Sequence, residues 1–353
     1  MRSHSKPRNN ILLVIDGFGQ GGIQQAYKVL IDEYCKIFDK VYLIVIQSSP
    51  SELQVPDISN LRTVRLQSWG LLDFRTLIKY YKVVKKSDPT IIIASIYRSQ
   101  VWSALIKSKN MKLVWVEHNI YLSRTFLQWK LMKILAKRVY KIIGVSDDVS
   151  EYTKGKLKTE IITIPNPLTL APSKHPVIAR SADFVFVSRM TTQKNPELML
   201  RSFARFIDEY KTNSKLHIVG DGYLTKLLKQ LSIELGVEKN CIFHGWLDIK
   251  SVHELMAKNM TLVSTSIFEG MSIVRLEAFA NGCCVVTTET GGTHLFKDLS
   301  ADGLFIASAT DESISLAMFD SIKPKYWTEA AILKRMSLIS KFEPNKIALE
   351  IID

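Results

Sequence analysis

"NILLVIDGFGQGGIQQA", residues 10–26, runs from an apolar stretch through a cluster of glycines into helix-forming residues. Ile11 to Ile15 carry no polar side chain and Asp16 ends the run, which is how a strand buried on both faces reads. A parallel strand, a tight turn and then a helix open a doubly wound α/β domain, and the free N–H groups at such a helix start face anions. Gly17, Gly19 and Gly22 also fit the G-x-G-x-x-G spacing of a dinucleotide loop. A nicotinamide cofactor would need an acidic residue about 20 residues further on, at the end of the second strand, for the ribose hydroxyls. That strand, "VYLIVIQSS", ends in Gln47 and Ser48. Gly17 and Gly19 read as turn residues in positive φ, and the spacing alone leaves open which phosphate the turn serves.

Outward from this stretch, short β-type runs alternate with helix-type stretches, and they do so twice. The first set is "NILLVID", "VYLIVIQ", "LRTVRLQ", "PTIIIASI", "KLVWVEHN", "KIIGVS" and "EIITIPNP", with helices clearest in "FRTLIKYYKVVKK" and "TFLQWKLMKILAKRVY". The second is "DFVFVSRM", "SKLHIVGD", "NCIFHGW", "MTLVSTS", "CCVVTTE" and "GLFIAS", with "PELMLRSFARFIDEY" among its helices. Between them "PNPLTLAPSKHPVIARSAD" is proline-rich and aperiodic, so the hinge is expected there. A chain of 353 residues suits two domains. The expectation is two Rossmann-like halves facing across a cleft: residues 1–170, residues 171–324, and a helical tail over about 325–353 that packs back on the first half.

Composition excludes several classes. At 46% hydrophobic and 23% charged, without low-complexity tracts, the chain is globular. Cys35, Cys241, Cys283 and Cys284 form no C-x-x-C pair and have no histidine at metal-ligand spacing, so neither zinc nor a disulfide framework is indicated, which fits a reducing cytoplasm. The apolar run near the start is too short for a signal peptide, and no segment approaches the roughly 18 apolar residues of a membrane span.

The most specific stretch is "SIFEGMSIVRLEAFANGCCVVTTETGG", residues 266–292. With a helix beginning near Ser272, Glu269 lies in the preceding loop and Glu277 more than one turn inside, and both can face a cleft. The N–H groups of Gly270, Met271 and Ser272 would meet a phosphate at the positive end of that helix. Upstream, "VSRMTTQKNP" places Arg189 at a strand end and Lys194 in the loop that opens the next helix. Two cations there can neutralise a diphosphate without a metal, and no D-x-D triplet occurs anywhere in the chain.

Arg189-x4-Lys194, "IVGDG", "FHGW", Glu269-x7-Glu277 and "TGG" together resemble the retaining glycosyltransferases of family 4, which have the GT-B fold. The resemblance is strong over residues 183–297 and looser before, where "GGIQQA", "VEHN", "VSDDV" and "IPNP" follow in the family's order. It implies that Arg189 and Lys194 hold the donor diphosphate, that Glu269 contacts the donor sugar and that Glu277 holds the ribose. It also implies donor contacts from Gly21, Gly22, Gly245, Gly270, Met271, Ser272 and Ile273, and a histidine, His118, close to the reacting sugar. The opening glycine turn is then part of a nucleotide-sugar site. Met271-Ser272 and Cys283-Cys284 depart from the family's usual residues and alter the donor-sugar pocket.

The implied activity is transfer of a hexose-type, possibly N-acetylated, sugar from a nucleotide diphosphate, UDP by resemblance, to a hydroxyl with retention and with neither metal nor other cofactor. Two alternatives share the fold, a nucleotide-sugar epimerase and a non-catalytic nucleotide-sugar binding protein. Charge adds a partner. Residues 1–170 hold 26 Lys and Arg against 13 Asp and Glu, while residues 171–353 hold 21 of each. In the first half Lys130, Lys133, Lys137 and Lys141 recur at helical spacing near Trp129, Phe126, Tyr80 and Tyr81, and Leu127, Leu131, Ile134 and Arg138 fall on another face. Basic amphipathic helices suit an anionic membrane surface. No nucleic-acid reader motif accompanies the charge. The expectation is a cytoplasmic enzyme peripheral on the inner face of the membrane, with a lipid-linked or glycan acceptor.

Overall fold

Apolar, β-branched runs in the first half of the chain pair in parallel because both of their faces are covered by helices. A computed structural model describes residues 8–19, 21–47, 54–120, 124–168, 181–296 and 303–353. It divides into two units, Met1–Thr169 with Phe342–Asp353, and Leu170–Lys341. The proline-rich hinge stretch lies largely outside the described residues.

In the first unit β1 (Arg8–Ile15), β2 (Phe38–Val45), β3 (Leu61–Arg65), β4 (Ile91–Ser95), β5 (Lys112–Glu117), β6 (Lys141–Gly144) and β7 (Ile162–Thr163) form a parallel sheet in the order β3-β2-β1-β4-β5-β6-β7. The chain leaves β1 in one direction for β2 and later returns to its other side at β4, so the switch point lies between β1 and β4. Helices α1 (Gly22–Ile37), α2 (Phe74–Ser87), α3 (Tyr97–Ile106), α4 (Phe126–Ala136) and α5 (Asp147–Leu157) connect the strands. Tyr80 and Val84 of α2, Val101 and Trp102 of α3 and Trp129, Met132 and Leu135 of α4 share one buried cluster with Leu12, Val14, Ala94 and Trp115, which puts the three helices on one face.

The second unit repeats the plan with β8 (Ser181–Val187), β9 (Leu216–Val219), β10 (Cys241–Gly245), β11 (Asn259–Ser264), β12 (Cys284–Thr288) and β13 (Leu304–Ala307), ordered β10-β9-β8-β11-β12-β13. Its switch point lies between β8 and β11. Helix α6 (Pro196–Tyr210) opens with proline, whose fixed φ suits a first helical position. It buries Met199, Leu200, Phe203 and Phe206, one helical stripe, against the sheet. The remaining helices are α7 (Thr225–Glu234), α8 (Ile249–Lys258), α9 (Ile273–Ala280), α10 (Asp311–Ser321) and α11 (Glu329–Ser337).

The tail divides between the units. Residues 324–341 belong to the second unit, and only Phe342–Asp353, with helix α12 (Pro344–Ile352), belongs to the first. Ile347, Ala348, Ile351 and Ile352 are buried there, and Tyr34 Oη donates to the Ala348 carbonyl at 3.1 Å.

Three expectations need correction. The basic helix ends at Ala136, so Lys141 sits on β6 and does not continue the lysine face. Trp129 and Tyr80 are buried, because their rings fill the core beneath the helices, and of the four expected aromatics Phe126 and Tyr81 are the exposed ones. Gly17 is not in the left-handed region, and Gly21 is extended, with φ −169°, so the positive φ expected at Gly17 is not needed for the turn after β1.

Candidate active site

In a doubly wound sheet the loops at the switch point leave in opposite directions and open a crevice at the carboxyl ends of the strands. In the second unit those are the loops after β8 and after β11, which explains why residues 75 positions apart meet: Lys194 Nζ bonds Glu269 Oε1. Ser266 Oγ donates to the same oxygen at 2.8 Å. The loops are stitched together by Ile267 N to Gln193 O at 2.8 Å, Gln193 Nε2 to Phe268 O at 3.1 Å and Thr265 Oγ1 to Asn195 O at 2.8 Å. Tyr223, in the loop after β9, takes the Thr192 N–H on its hydroxyl at 2.8 Å and so steadies the turn that carries Lys194. Arg189, two residues beyond β8, is exposed. The site therefore pairs a pinned carboxylate with one engaged and one solvent-facing cation.

Helix α9 begins just after Ser272, which makes no side-chain cap, and no acidic residue occupies the first turn. Gly270, Met271, Ser272 and Ile273 are all buried. Glu277 sits in the second turn, with His253 Nε2 of α8 at 3.8 Å from its Oε1. Gly245 ends β10 with φ +66°, a conformation that favours glycine. The loop after β12 lies hard against Glu269: a Cβ on Gly291 would stand 2.2 Å from the Glu269 carbonyl oxygen.

Sequence reasoning passed over Arg275. Its guanidinium is fully buried and donates to Thr293 Oγ1 at 3.0 Å and Thr290 Oγ1 at 2.6 Å, while Nε has no hydrogen-bond partner among the described residues. Burial pushes its pKa down to about 10, against the attraction of Glu269. Arg275 thus anchors the two ends of the Thr290–Thr293 loop behind Glu269. Position 275 reads as one more residue of a helix packed on a sheet, and the pattern carries no mark of this contact.

In the first unit the switch-point loops present His118, just after β5. It is 6% exposed. Tyr27 Oη donates to Ser95 Oγ at 2.5 Å, and Ser95 Oγ lies 3.0 Å from His118 Nε2. The Ser95 hydroxyl that accepts from Tyr27 keeps a second lone pair and its own proton, so it pairs with Nε2 in either tautomer of the neutral imidazole. Nδ1 has no hydrogen bond of normal geometry, although the Asn166 side chain lies close enough to favour the charged ring. Burial outweighs that and pushes His118 down to about 4. The ring is neutral and is held by Tyr27 and Ser95, neither of which the sequence marked. Between Ser95 and α3, Ile96 has φ +75°, a strained backbone for a β-branched residue. Gly21 and Gly22 form the uncapped start of α1.

These two units match known proteins throughout. Anabaena HepE, solved in complex with UDP and glucose, superposes with a TM-score of 0.80 at 17% identity, over 97% of this chain and 98% of that one. Two doubly wound units of this kind define the GT-B fold of glycosyltransferases. Sequence profiles tile the chain: Glycosyltransferase Family 4 matches residues 21–171 and Glycosyl transferases group 1 matches residues 171–332. The chain belongs to the family 4 glycosyltransferases. An alpha-1,4-N-acetyl-D-galactosaminyltransferase of Campylobacter jejuni, named for a GalNAc- and diNAcBac-containing PP-undecaprenol substrate, is 23% identical over 87% of this chain and 86% of its own length. An uncharacterized glycosyltransferase of Methanocaldococcus jannaschii is 30% identical over 131 residues, and that match spans 33% of its length.

Proposed function

We propose that this glycosyltransferase moves a hexose-type sugar, N-acetylated or not, from UDP to a hydroxyl of a lipid-linked glycan, with retention of configuration and without a metal, while docked on the cytoplasmic face of a membrane. The observation that carries the proposal is the meeting of Lys194 and Glu269 at the β8/β11 switch point, with Arg189 exposed on the same loop as Lys194. Diphosphate arriving there takes its charge balance from Lys194, Arg189 and the N–H groups that begin α9. Glu269, held by Ser266, accepts hydrogen bonds from the donor sugar, and Glu277 accepts from the ribose. The acceptor oxygen bonds the anomeric carbon as its bond to the β-phosphate oxygen breaks, and the acceptor proton passes to the departing phosphate. The neutral His118 imidazole hydrogen-bonds a sugar hydroxyl.

UDP is supported by the ligand of HepE, and a polyprenyl-diphosphate-linked glycan by the name of the Campylobacter relative. Among the described residues no helix is long and apolar enough to cross a membrane, so contact with a lipid acceptor falls to the protein surface. The test is incubation with UDP-, GDP- and ADP-sugars, with and without an undecaprenyl-diphosphate glycan, reading product by mass spectrometry and its anomeric configuration by NMR. Transfer only with acceptor, from a UDP-sugar, with an α product and undiminished by EDTA supports the reading. Sugar interconversion without acceptor, or rescue of EDTA-treated enzyme by magnesium or manganese, overturns it.

A further inference from the structure

The most exposed large apolar side chains described in the first unit fall at two places. Trp69, Leu72 and Phe74, around the start of α2, are 77%, 65% and 67% exposed, and Phe126 and Leu127, at the start of α4, are 80% and 73% exposed. Loose loops do not explain this. Asp73, buried as the cap of α2, accepts from Thr76 N at 3.1 Å and Trp69 N at 3.3 Å. Thr125 and Gln128 close a capping box at the start of α4. Both helix starts are rigid and hold their apolar residues outward.

Both also lie on one edge of one sheet. The loop before α2 is fixed beside the end of β2 by Ser68 N to Ile46 O at 2.9 Å, and the approach to α4 is fixed to the end of β5 by Arg124 to Glu117 at 3.1 Å. Helix α3 stands between them: Trp102 Nε1 donates to Leu71 O at 3.0 Å, and the Arg124 guanidinium lies over the Tyr97 ring. The two apolar points are thus about 20 Å apart, two helix spacings, at the edge that carries His118. Behind them α2, α3 and α4 contain no Asp or Glu at all. Arg75, Lys79, Lys82, Lys85 and Lys86 of α2 and Lys130 and Lys133 of α4 are exposed, and none has an ion pair among the described residues.

We infer that the outer surface of α2 and α4 docks on an anionic lipid bilayer, with Trp69, Leu72 and Phe74 and with Phe126 and Leu127 entering the headgroup boundary. The inference rests on the proposal of a lipid-linked acceptor and gives it a geometry. A carboxylate-free basic face draws the helices to anionic headgroups, and apolar tips at the sheet edge turn that edge toward the bilayer. The His118 edge then faces the plane in which a lipid diphosphate sits. Nucleic acid offers the same charge but no place for five exposed apolar side chains.

Sedimentation with vesicles of phosphatidylcholine, alone or with an equal part of phosphatidylglycerol, tests the surface. Binding is expected only with phosphatidylglycerol and falls with salt. Trp69→Ser with Phe126→Ser, and separately Lys79→Glu with Lys82→Glu, should each lower partitioning by about tenfold or more. Ile233→Ser, at an exposed position of α7, should change nothing. Brominated lipid should quench part of the fluorescence of the parent and less of that of Trp69→Phe. UDP calorimetry on each variant verifies folding. Equal binding to neutral and anionic vesicles, unchanged sedimentation of the double variants, or absence of Trp69 quenching overturns the inference. Failure of the transferase reading looks different: no turnover with any acceptor offered, while vesicle binding and quenching stand.

Discussion

Replacing His118 by glutamine should remove a specific acid sensitivity from the first unit. Burial holds the folded-state pKa at about 4 against an ordinary value of 6.5, so between these values the unfolded chain binds a proton that the folded chain refuses. Stability from this site is complete above about pH 6.5 and is lost as the pH falls toward about 4. Between about pH 7 and about pH 4.5 the parent should lose on the order of 2 kcal/mol more than the variant. The assay is urea unfolding at each pH, followed by the fluorescence of Trp102, Trp115 and Trp129, which are buried in the same unit. Differences in the pH dependence, rather than in the midpoint at one pH, isolate the histidine, because lost packing in the variant is the same at every pH. Equal pH dependence of the two proteins would refute the argument, since it would mean that the folded protein protonates His118 near its ordinary pKa. The reverse difference would refute it as well.

Arg189→Ala and Lys194→Ala should each lower turnover on the order of 100- to 1000-fold, as for loss of a transition-state donor, whereas Glu277→Ala should chiefly raise the UDP dissociation constant, measurable by calorimetry. Glu269→Gln keeps the shape of the site and should cut turnover; activity equal to the parent's would remove Glu269 from it. Gly291→Ala forces a Cβ against the Glu269 carbonyl and should lose about 1–3 kcal/mol in thermal unfolding together with turnover. Arg275→Met relieves a buried charge worth about 3 kcal/mol by its pKa and gives up two hydrogen bonds of about 1.5 kcal/mol or more each. Its melting temperature should therefore stay near the parent's while kcat falls, and a variant that unfolds outright would contradict the balance.

The strands were legible because each central strand is buried on both faces and reads as an unbroken apolar run, and the Arg-x4-Lys and Glu-x7-Glu spacings singled out Arg189, Lys194, Glu269 and Glu277, of which Lys194 and Glu269 meet in the structure. What brings Lys194 and Glu269 together is sheet order, which parallel crossovers imply but no local pattern states. Tyr27, Ser95 and Arg275 stayed hidden for another reason. Each occupies a position that packing alone could fill, and its role arises from partners 68, 23 and 18 residues away. The lysine face was read one turn too far because Lys137-Arg138 continues the helical spacing, whereas Arg138 in fact turns back to the Leu105 and Lys107 carbonyls as the helix ends. Of the aromatic residues expected on the outer face, Phe126 and Tyr81 are exposed, whereas Trp129 and Tyr80 are buried, because spacing alone does not say which ring of an amphipathic helix faces the core.

Helix α12 has a consequence for the order of events during synthesis. The first unit's core needs Ile347, Ala348, Ile351 and Ile352, and Tyr140 and Lys141 are bonded to the Asp353 and Glu350 carbonyls. On the ribosome these residues emerge after the whole of the second unit. The half made first is therefore completed last, and until then α1 exposes the apolar seat of α12 to every other nascent chain and chaperone nearby.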